Sequence, residues 1–183
     1  MNAIQTPKRF SGPSIALHWL MLVLLVAVAA SMELRGMFPK GDPMREAFKT
    51  WHYMLGISVF ALVWLRLLMR WVGPTPQIQP APPAWQNALA KLMHLGLYAL
   101  MIGLPLLGWL ILSAKGKPVP FFFGLELPPL MAENKGAAEW IKELHEAGAT
   151  IGYVLVGLHA AAGLYHHYVQ RDNTLQHMLP GKA

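Results

Sequence analysis

Four histidines lie within or at the ends of strongly apolar segments of the chain: His18, His52, His145 and His159. An ionisable side chain is costly to place inside a membrane, so such residues usually mark a ligand site or a transport path. Imidazole is also a common axial ligand of haem iron. Four imidazoles from three separate segments suffice for the axial positions of two haems. The pattern therefore predicts electron transfer within a membrane.

The composition predicts a membrane protein. The chain has 183 residues, of which 55% are hydrophobic and 13% charged, which is too apolar for an ordinary soluble domain. Each of four apolar runs approaches or exceeds the roughly 20 residues that a helix needs to cross the hydrocarbon core. These runs are Ile15–Met32, Tyr53–Val72, Leu92–Leu112 and Ala147–Val169.

We therefore predict an all-α fold, a four-transmembrane-helix bundle that encloses two b-type haems. Its helices are expected at about 14–33, 50–72, 90–112 and 145–170, in a single integral membrane domain over residues 1–183. The absence of cysteine excludes disulfides, iron–sulfur clusters and thiolate ligation of haem.

The first apolar run also has features of a secretory signal. Lys8 and Arg9 would form its charged start, and the small residues of Ala27–Ser31 resemble a cleavage site. The run is long for a signal core, so we interpret it as a retained first transmembrane helix.

Three further segments have a recognisable character. The proline-rich stretch 73–84 is predicted to be an extended connector. The apolar loop 115–129, with three consecutive phenylalanines, is predicted to lie at the membrane interface, where it could cover a cofactor. Residues 133–146 have helical composition and could lead directly into the fourth helix.

Connectivity predicts how the histidines pair. His145 and His159 are 14 residues apart, about 21 Å along a helix and within about 40° of the same face. The second and fourth helices run in the same direction, so His145 lies level with His52, whereas His159 approaches the level of His18. The predicted pairs are His52–His145 and His18–His159, each clamping one haem between helices.

Some neighbouring residues leave alternatives open. The glycines near these histidines either make room for a porphyrin or only allow close helix packing. His94 begins the third helix and could compete with His18, whereas His177 in the tail is predicted to be solvated. The glycines concerned are Gly56, Gly148, Gly152, Gly157 and Gly163.

Several stretches resemble the bacterial cytochrome b-561 family, and within it the short di-haem superoxide oxidases (superoxide:ubiquinone oxidoreductases). They span nearly the whole chain, and the block that begins at residue 157 is the most specific. The stretches are IALHW at 15–19, ELRGMFP at 33–39, RLLMR at 66–70, PTP at 74–76, GLHAAA at 157–162, HHY at 166–168 and DNTL at 172–175.

The resemblance implies a location and a reaction. By motif match, the family's four haem ligands fall on His18, His52, His145 and His159, the set already reached from spacing. It implies a multi-pass protein of the bacterial inner membrane, with both termini in the cytoplasm. Superoxide would be oxidised to dioxygen on the periplasmic side, and ubiquinone would be reduced in the membrane. Lysine and arginine counts alone do not decide this orientation, although Asp172 is the only one of nine acidic residues on the predicted inside.

Other polar residues have two interpretations each. Arg66 and Arg70 could pair haem propionates or extend to lipid headgroups. His166 and His167 could bind the quinone or anchor the helix at the interface. Four cations could attract superoxide or be ordinary solvated loop charges: Arg35, Lys49, Lys115 and Lys117.

Two other functions are considered. A haem b electron-transfer or anchor subunit for another redox protein, such as a periplasmic partner, would bind the same haems but would need a docking surface on the outer loops. A metal-ion transporter would use the intramembrane histidines. It is disfavoured because the first and fourth apolar runs contain no carboxylate.

Overall fold

The computed structural model describes residues 9–180. Its main elements are four α-helices: α1 (Gly12–Arg35), α2 (Pro43–Val72), α3 (Ala84–Ala114) and α4 (Lys135–Tyr165). All four are long and apolar enough to cross a membrane. The predicted all-α, four-helix architecture is therefore confirmed. Lys8, which begins the signal-like stretch, lies outside the described residues.

The helices α2, α3 and α4 begin well before the apolar runs, and polar caps fix the starts of α2 and α4. α2 begins at Pro43, where the Asp42 carboxylate accepts a hydrogen bond of 2.7 Å from the backbone N–H of Met44. α4 begins ten residues before the predicted position, after Asn134, whose side chain accepts from the N–H of Ala137 at 3.0 Å. α3 begins at Ala84, directly after the prolines of the connector. Hydrophobicity locates the membrane-spanning part of a helix but not its capped end.

The helices pack mainly against their neighbours in sequence, which leaves a cleft in the bundle. α1 packs along α2, α2 along α3 and α3 along α4, whereas α4 makes few contacts with α1 or α2. The buried side chains of Met21, Val59 and Val63 join α1 to α2, and α3 residues such as Tyr98 pack against them. We call the space between α4 and the α1–α2 pair the interhelical cleft.

One face of the bundle, which we call the hairpin face, carries the α1–α2 turn and the segment between α3 and α4. That segment was predicted to be an irregular apolar loop, but it forms a short antiparallel hairpin of β1 (Val119–Pro120) and β2 (Glu126–Leu127). The buried Val119 packs with residues of α2 and α3, and the Trp109 indole donates a 2.9 Å hydrogen bond to the carbonyl of Pro128. The hairpin is thus fixed to the helix ends, while Phe123 at its tip is fully exposed.

The opposite face, which we call the terminal face, carries both ends of the described chain and the non-helical connector 73–83. A single π-helical turn, His166–Gln170, follows α4 and ends at Arg171, whose φ is 57°. Asn173 then holds the connector: its side-chain oxygen accepts from Gln79 N–H at 2.8 Å, and its own N–H donates back to the Gln79 carbonyl. The motif at 172–175 therefore has a structural role in joining tail and connector.

The tail also docks against α1. The Trp19 indole donates a 2.7 Å hydrogen bond to the Met178 carbonyl, and the Phe10 ring contacts the ring of His177 edge-on. His177 is only 4% exposed, so the prediction of a solvated tail histidine was wrong. Composition alone could not show that the tail folds back over the helix ends.

We expect docking of the tail to weaken in mild acid. Burial lowers the pKa of the His177 imidazole, so the docked tail favours the neutral ring. Below about pH 6.5, the usual pKa of histidine, the undocked tail binds a proton more readily and docking loses free energy. Hydrogen exchange of residues 172–178, corrected for intrinsic rates, should increase between pH 7.5 and pH 5.5. H177F, which keeps an aromatic ring but cannot titrate, should show no such increase; equal pH sensitivity in both proteins would contradict this explanation.

Candidate cofactor-binding site

Near the hairpin face, two imidazoles meet across the interhelical cleft. The ring centroids of His52 on α2 and His145 on α4 are 6.2 Å apart, with an interplanar angle of 76°. Nδ1 of His52 lies 3.1 Å from the carbonyl oxygen of Val28, and Nδ1 of His145 lies 3.0 Å from that of Leu104. Because a carbonyl only accepts, each Nδ1 carries the hydrogen and each Nε2 keeps its lone pair. This is the tautomer that a metal-binding imidazole needs.

Two residues that the sequence analysis did not single out shape this hairpin-side pair. The hydroxyl of the buried Ser31 donates a 2.6 Å hydrogen bond to the same Val28 carbonyl that accepts from His52. Gly108 brings α3 to the edge of the second ring, since a Cβ there would lie 3.6 Å from Cε1 of His145. In the sequence, only the occurrence of a polar residue within an apolar run could have marked Ser31.

Near the terminal face, three imidazoles lie together instead of two. The ring centroids of His18 and His159 are 6.2 Å apart, at an interplanar angle of 73°. His94 on α3 lies closer still to His159, at 5.6 Å and 68°. The sequence named His94 as a competitor of His18, but the structure places it beside His159.

The hydrogen bonding of the terminal-side group differs from that of the hairpin-side pair. Nη2 of Arg66 lies 2.9 Å from Nδ1 of His18. Arginine only donates, so this Nδ1 accepts, and a neutral His18 ring carries its hydrogen on Nε2. For Nε2 of His18 to bind a metal, Arg66 must therefore turn away. Arg70 points elsewhere: its guanidinium lies 5.0 Å from the centroid of the Phe10 ring. The propionate roles of both arginines stay predictions.

The spacing of the rings suits an iron ion between them. With metal–nitrogen bonds of about 2.0 Å, as metal-bound imidazoles have, two rings on opposite sides of one ion have centres roughly 6.3 Å apart. Both predicted pairs are separated by 6.2 Å. The donor sets therefore fit bis-histidine haem ligation, and the identity of the ligands stays a prediction.

The glycines divide into two groups. A Cβ at Gly56, Gly157 or Gly163 would meet no atom within 4 Å, so these positions leave space. A Cβ at Gly148 would lie 2.7 Å from Cδ2 of Leu104, so this glycine allows α4 to pack on α3. A Cβ at Gly152 would lie 3.7 Å from a Leu100 methyl, which is ordinary contact, so this glycine also faces α3 but is not required for the packing.

The arrangement of the predicted ligands bears on the choice between a haem protein and a metal-ion transporter. The four predicted ligands occur as facing pairs at two depths, which suits a planar cofactor better than a hydrated ion.

At the terminal face, His166 has a strong partner. Its Nδ1 lies 2.5 Å from Oδ2 of the buried Asp172, whose Oδ1 accepts from the backbone N–H of Thr174. Burial alone would raise the pKa of the Asp172 carboxyl, but the hydrogen bonds from His166 and Thr174 outweigh it, and the pKa is lowered. Nδ1 of His167 is buried and has no hydrogen-bond partner within residues 9–180. The quinone role of both histidines stays a prediction.

The cations at the hairpin face are partly neutralised. Lys49 pairs with Glu46 at 2.6 Å, and Lys115 lies 3.6 Å from Glu139. Lys115, Lys117 and Lys135 nevertheless line one cavity of about 300 Å³ together with Glu139. Three ammonium groups against one carboxylate leave this cavity positively charged.

A membrane-spanning helical bundle with facing imidazoles at two depths defines the class of transmembrane b-type cytochromes. The family model described as prokaryotic cytochrome b561 matches residues 9–181, and the chain belongs to this family. The predicted family is thus confirmed. Proteins of this family bind b-type haem, and the chain is accordingly a multi-pass protein of the prokaryotic inner membrane that takes part in electron transport.

Three relatives align over almost their whole length. Cytochrome b561 homolog 1 of Escherichia coli (strain K12) is 43% identical over 173 residues, 94% of this chain and 98% of the relative. The probable superoxide oxidase CybB of Yersinia pestis is 38% identical over 175 residues, covering 96% and 98%. Cytochrome b561 homolog 2 of Escherichia coli (strain K12) is 29% identical over 183 residues, covering 100% and 97%.

A leucine in the cleft should displace haem. Gly56 lies one turn after His52 on the same face of α2, so G56L places a side chain where the structure leaves space. We expect G56L to bind markedly less haem per chain by the pyridine haemochromogen assay. A61L, at an exposed position of the same helix, is the matched control and should retain the haem content of the parent. Equal haem content in the two variants would show that Gly56 does not face the cofactor.

Proposed function

We propose that the chain is a di-haem cytochrome b that oxidises superoxide at the hairpin face and reduces ubiquinone. Two superoxide anions, one ubiquinone and two protons would give two dioxygen molecules and one ubiquinol. The observation that carries the proposal is the pair of 6.2 Å imidazole contacts at two depths along α4. They offer two redox centres, one near each face of the membrane. The hairpin face would then be periplasmic and both termini cytoplasmic.

In this proposal, His52 with His145, and His18 with His159, would hold two haems b. When bound, these haems would supply one-electron transfer. The Val28 and Leu104 carbonyls fix the two rings nearer the hairpin face. The Arg66 guanidinium would turn from His18 towards a propionate, for which its planar pair of donors is suited. Arg70 would have the same role from the next turn of α2.

The charge of the hairpin face suits an anionic substrate. The cavity lined by Lys115, Lys117 and Lys135 lies at the end of α3 and the beginning of α4. A local positive potential raises the concentration of a small anion there and speeds its encounter with the site. Arg35 and Lys49 would add to this potential, although Glu46 partly neutralises the charge of Lys49.

The terminal face offers a candidate quinone site. Asp172 accepts a hydrogen bond from Nδ1 of His166, which orients the ring. A protonated His166 would offer the hydrogen on Nε2 to a quinone carbonyl oxygen and could deliver one of the protons that ubiquinol formation consumes. The unpartnered Nδ1 of His167 supplies a second polar atom at the same turn.

The relatives support this proposal without deciding it. One is named as a probable superoxide oxidase and is 38% identical to this chain, whereas two others are named only as cytochrome b561 homologs. A second candidate is therefore a haem b electron-transfer subunit that serves another redox protein. The exposed hairpin tip at Phe123, beside the exposed Leu125, favours it because an apolar projection can contact a partner.

Stopped-flow spectroscopy separates the two functions. The purified protein, in oxygen-free buffer, is mixed with potassium superoxide with and without a soluble ubiquinone, and the α-band of reduced haem is followed. We expect fast reduction of haem, followed by reoxidation only when the quinone is present. Slow reduction of an intact di-haem protein would contradict the oxidase proposal and favour the electron-transfer subunit.

The Asp172–His166 pair can be tested in the same experiment. D172N keeps the size of the side chain but removes the carboxylate that accepts from Nδ1 of His166, so the ring loses the partner that orients it. We expect quinone-dependent reoxidation to slow by roughly tenfold or more, because a general acid that is no longer held in position transfers its proton less readily. Superoxide-driven reduction should be unchanged. D42N, which makes the same change at the cap of α2 on the opposite face, is the control, and equal slowing of both phases in D172N would indicate a merely structural role.

A further inference from the structure

The cluster of imidazoles near the terminal face contains one more histidine than two axial ligands require. His94 lies on the exposed part of α3, with its ring centroid 5.6 Å from that of His159. Both rings lie within electrostatic range of His18. By contrast, among the described residues no third histidine ring contacts the hairpin-side pair, and the other ring partner of His52 is Tyr53.

The packing of α3 on α4 determines which ligand His94 can replace. These two helices pack closely: a Cβ at Gly96, two residues after His94, would lie 3.1 Å from a methyl of Leu155 on α4. No porphyrin fits between helices in such contact. His94 and His159 therefore stand side by side on one wall of the interhelical cleft, and His18 stands on the other wall.

The hydrogen bonding leaves His94 available. Within residues 9–180, neither ring nitrogen of His94 makes a hydrogen bond, whereas Nδ1 of His52 and of His145 is held by a backbone carbonyl. An imidazole without such a bond can change tautomer and rotamer at little cost. The ring can thus move towards an ion that lies between His18 and His159.

We propose that His94 is a reserve axial ligand, able to take the place of His159 opposite His18. The proposal rests on the proposed haem ligation. It predicts that the two haem sites respond differently to loss of an α4 ligand. The terminal-side site has a substitute imidazole, and the hairpin-side site has none.

The test compares H159A with H145A, because both remove a ligand from the same helix. Haem per chain is measured by the pyridine haemochromogen assay, and axial ligation by low-temperature electron paramagnetic resonance of the oxidised holoprotein. We expect H145A to retain one haem per chain. H159A should retain two, both low-spin with two nitrogen ligands, and its terminal-side signal should shift. H94A/H159A should retain one, and H94A alone should retain two.

Each other outcome has a distinct meaning. If H159A retains one haem per chain, as H145A does, His94 is not a reserve ligand and the ligand assignment stands. If H145A itself retains two low-spin haems, the proposed haem ligation is wrong, and the reserve-ligand proposal loses its basis. Misfolding is controlled by adding free imidazole to H94A/H159A: recovery of the second haem shows an intact site that lacks only a ligand. If H159A keeps its second haem and H94A/H159A keeps it equally well, some other side chain is the substitute.

Discussion

The structure depends on how imidazoles are accommodated inside an apolar bundle. A buried polar ring is costly unless its hydrogen-bonding groups are satisfied. His52 and His145 meet this constraint through Nδ1, which donates to the carbonyls of Val28 and Leu104. The same bonds leave Nε2 of both rings as the acceptor, so the contact that makes burial tolerable also prepares a metal ligand. In the terminal-side group the hydrogen bond is of a different kind, because Nδ1 of His18 accepts from the guanidinium of Arg66. The two centres therefore have different surroundings although their ring spacing is the same.

This arrangement explains why each helix packs mainly against the helix next to it in sequence, and why the four helices do not enclose one common apolar core. α4 lies along α3 through Gly148 and Gly152, whereas across the cleft it meets α1 and α2 mainly through rings. The main buried apolar cluster accordingly lies among α1, α2 and α3. The ends of the helices are joined by other means. The hairpin covers one face of the bundle. On the opposite face, Asn173 holds the connector and the docked tail contacts α1.

Sequence alone predicted the parts of this design that follow from periodicity and hydrophobicity. Helix geometry and connectivity predict the four spans and the depth of each histidine along its helix. They also predict that His18 lies opposite His159 and that His52 lies opposite His145. The helical composition of residues 133–146 indicated that they could lead directly into the fourth helix, but its start was expected near residue 145, because hydrophobicity does not show the cap that Asn134 forms before Lys135. The burial of His177 and the position of His94 beside His159 were also missed. Both depend on contacts between segments distant in sequence, and no local pattern encodes them.

The central claim is that two facing pairs of imidazoles each hold one haem. The most direct test is a combined measurement on the purified parent protein: haem per chain by the pyridine haemochromogen assay, and axial ligation by near-infrared magnetic circular dichroism. The account predicts two haems b per chain, each with the charge-transfer band of bis-histidine ligation. A single haem per chain, or a second haem that is high-spin or has a ligand other than histidine, would contradict it.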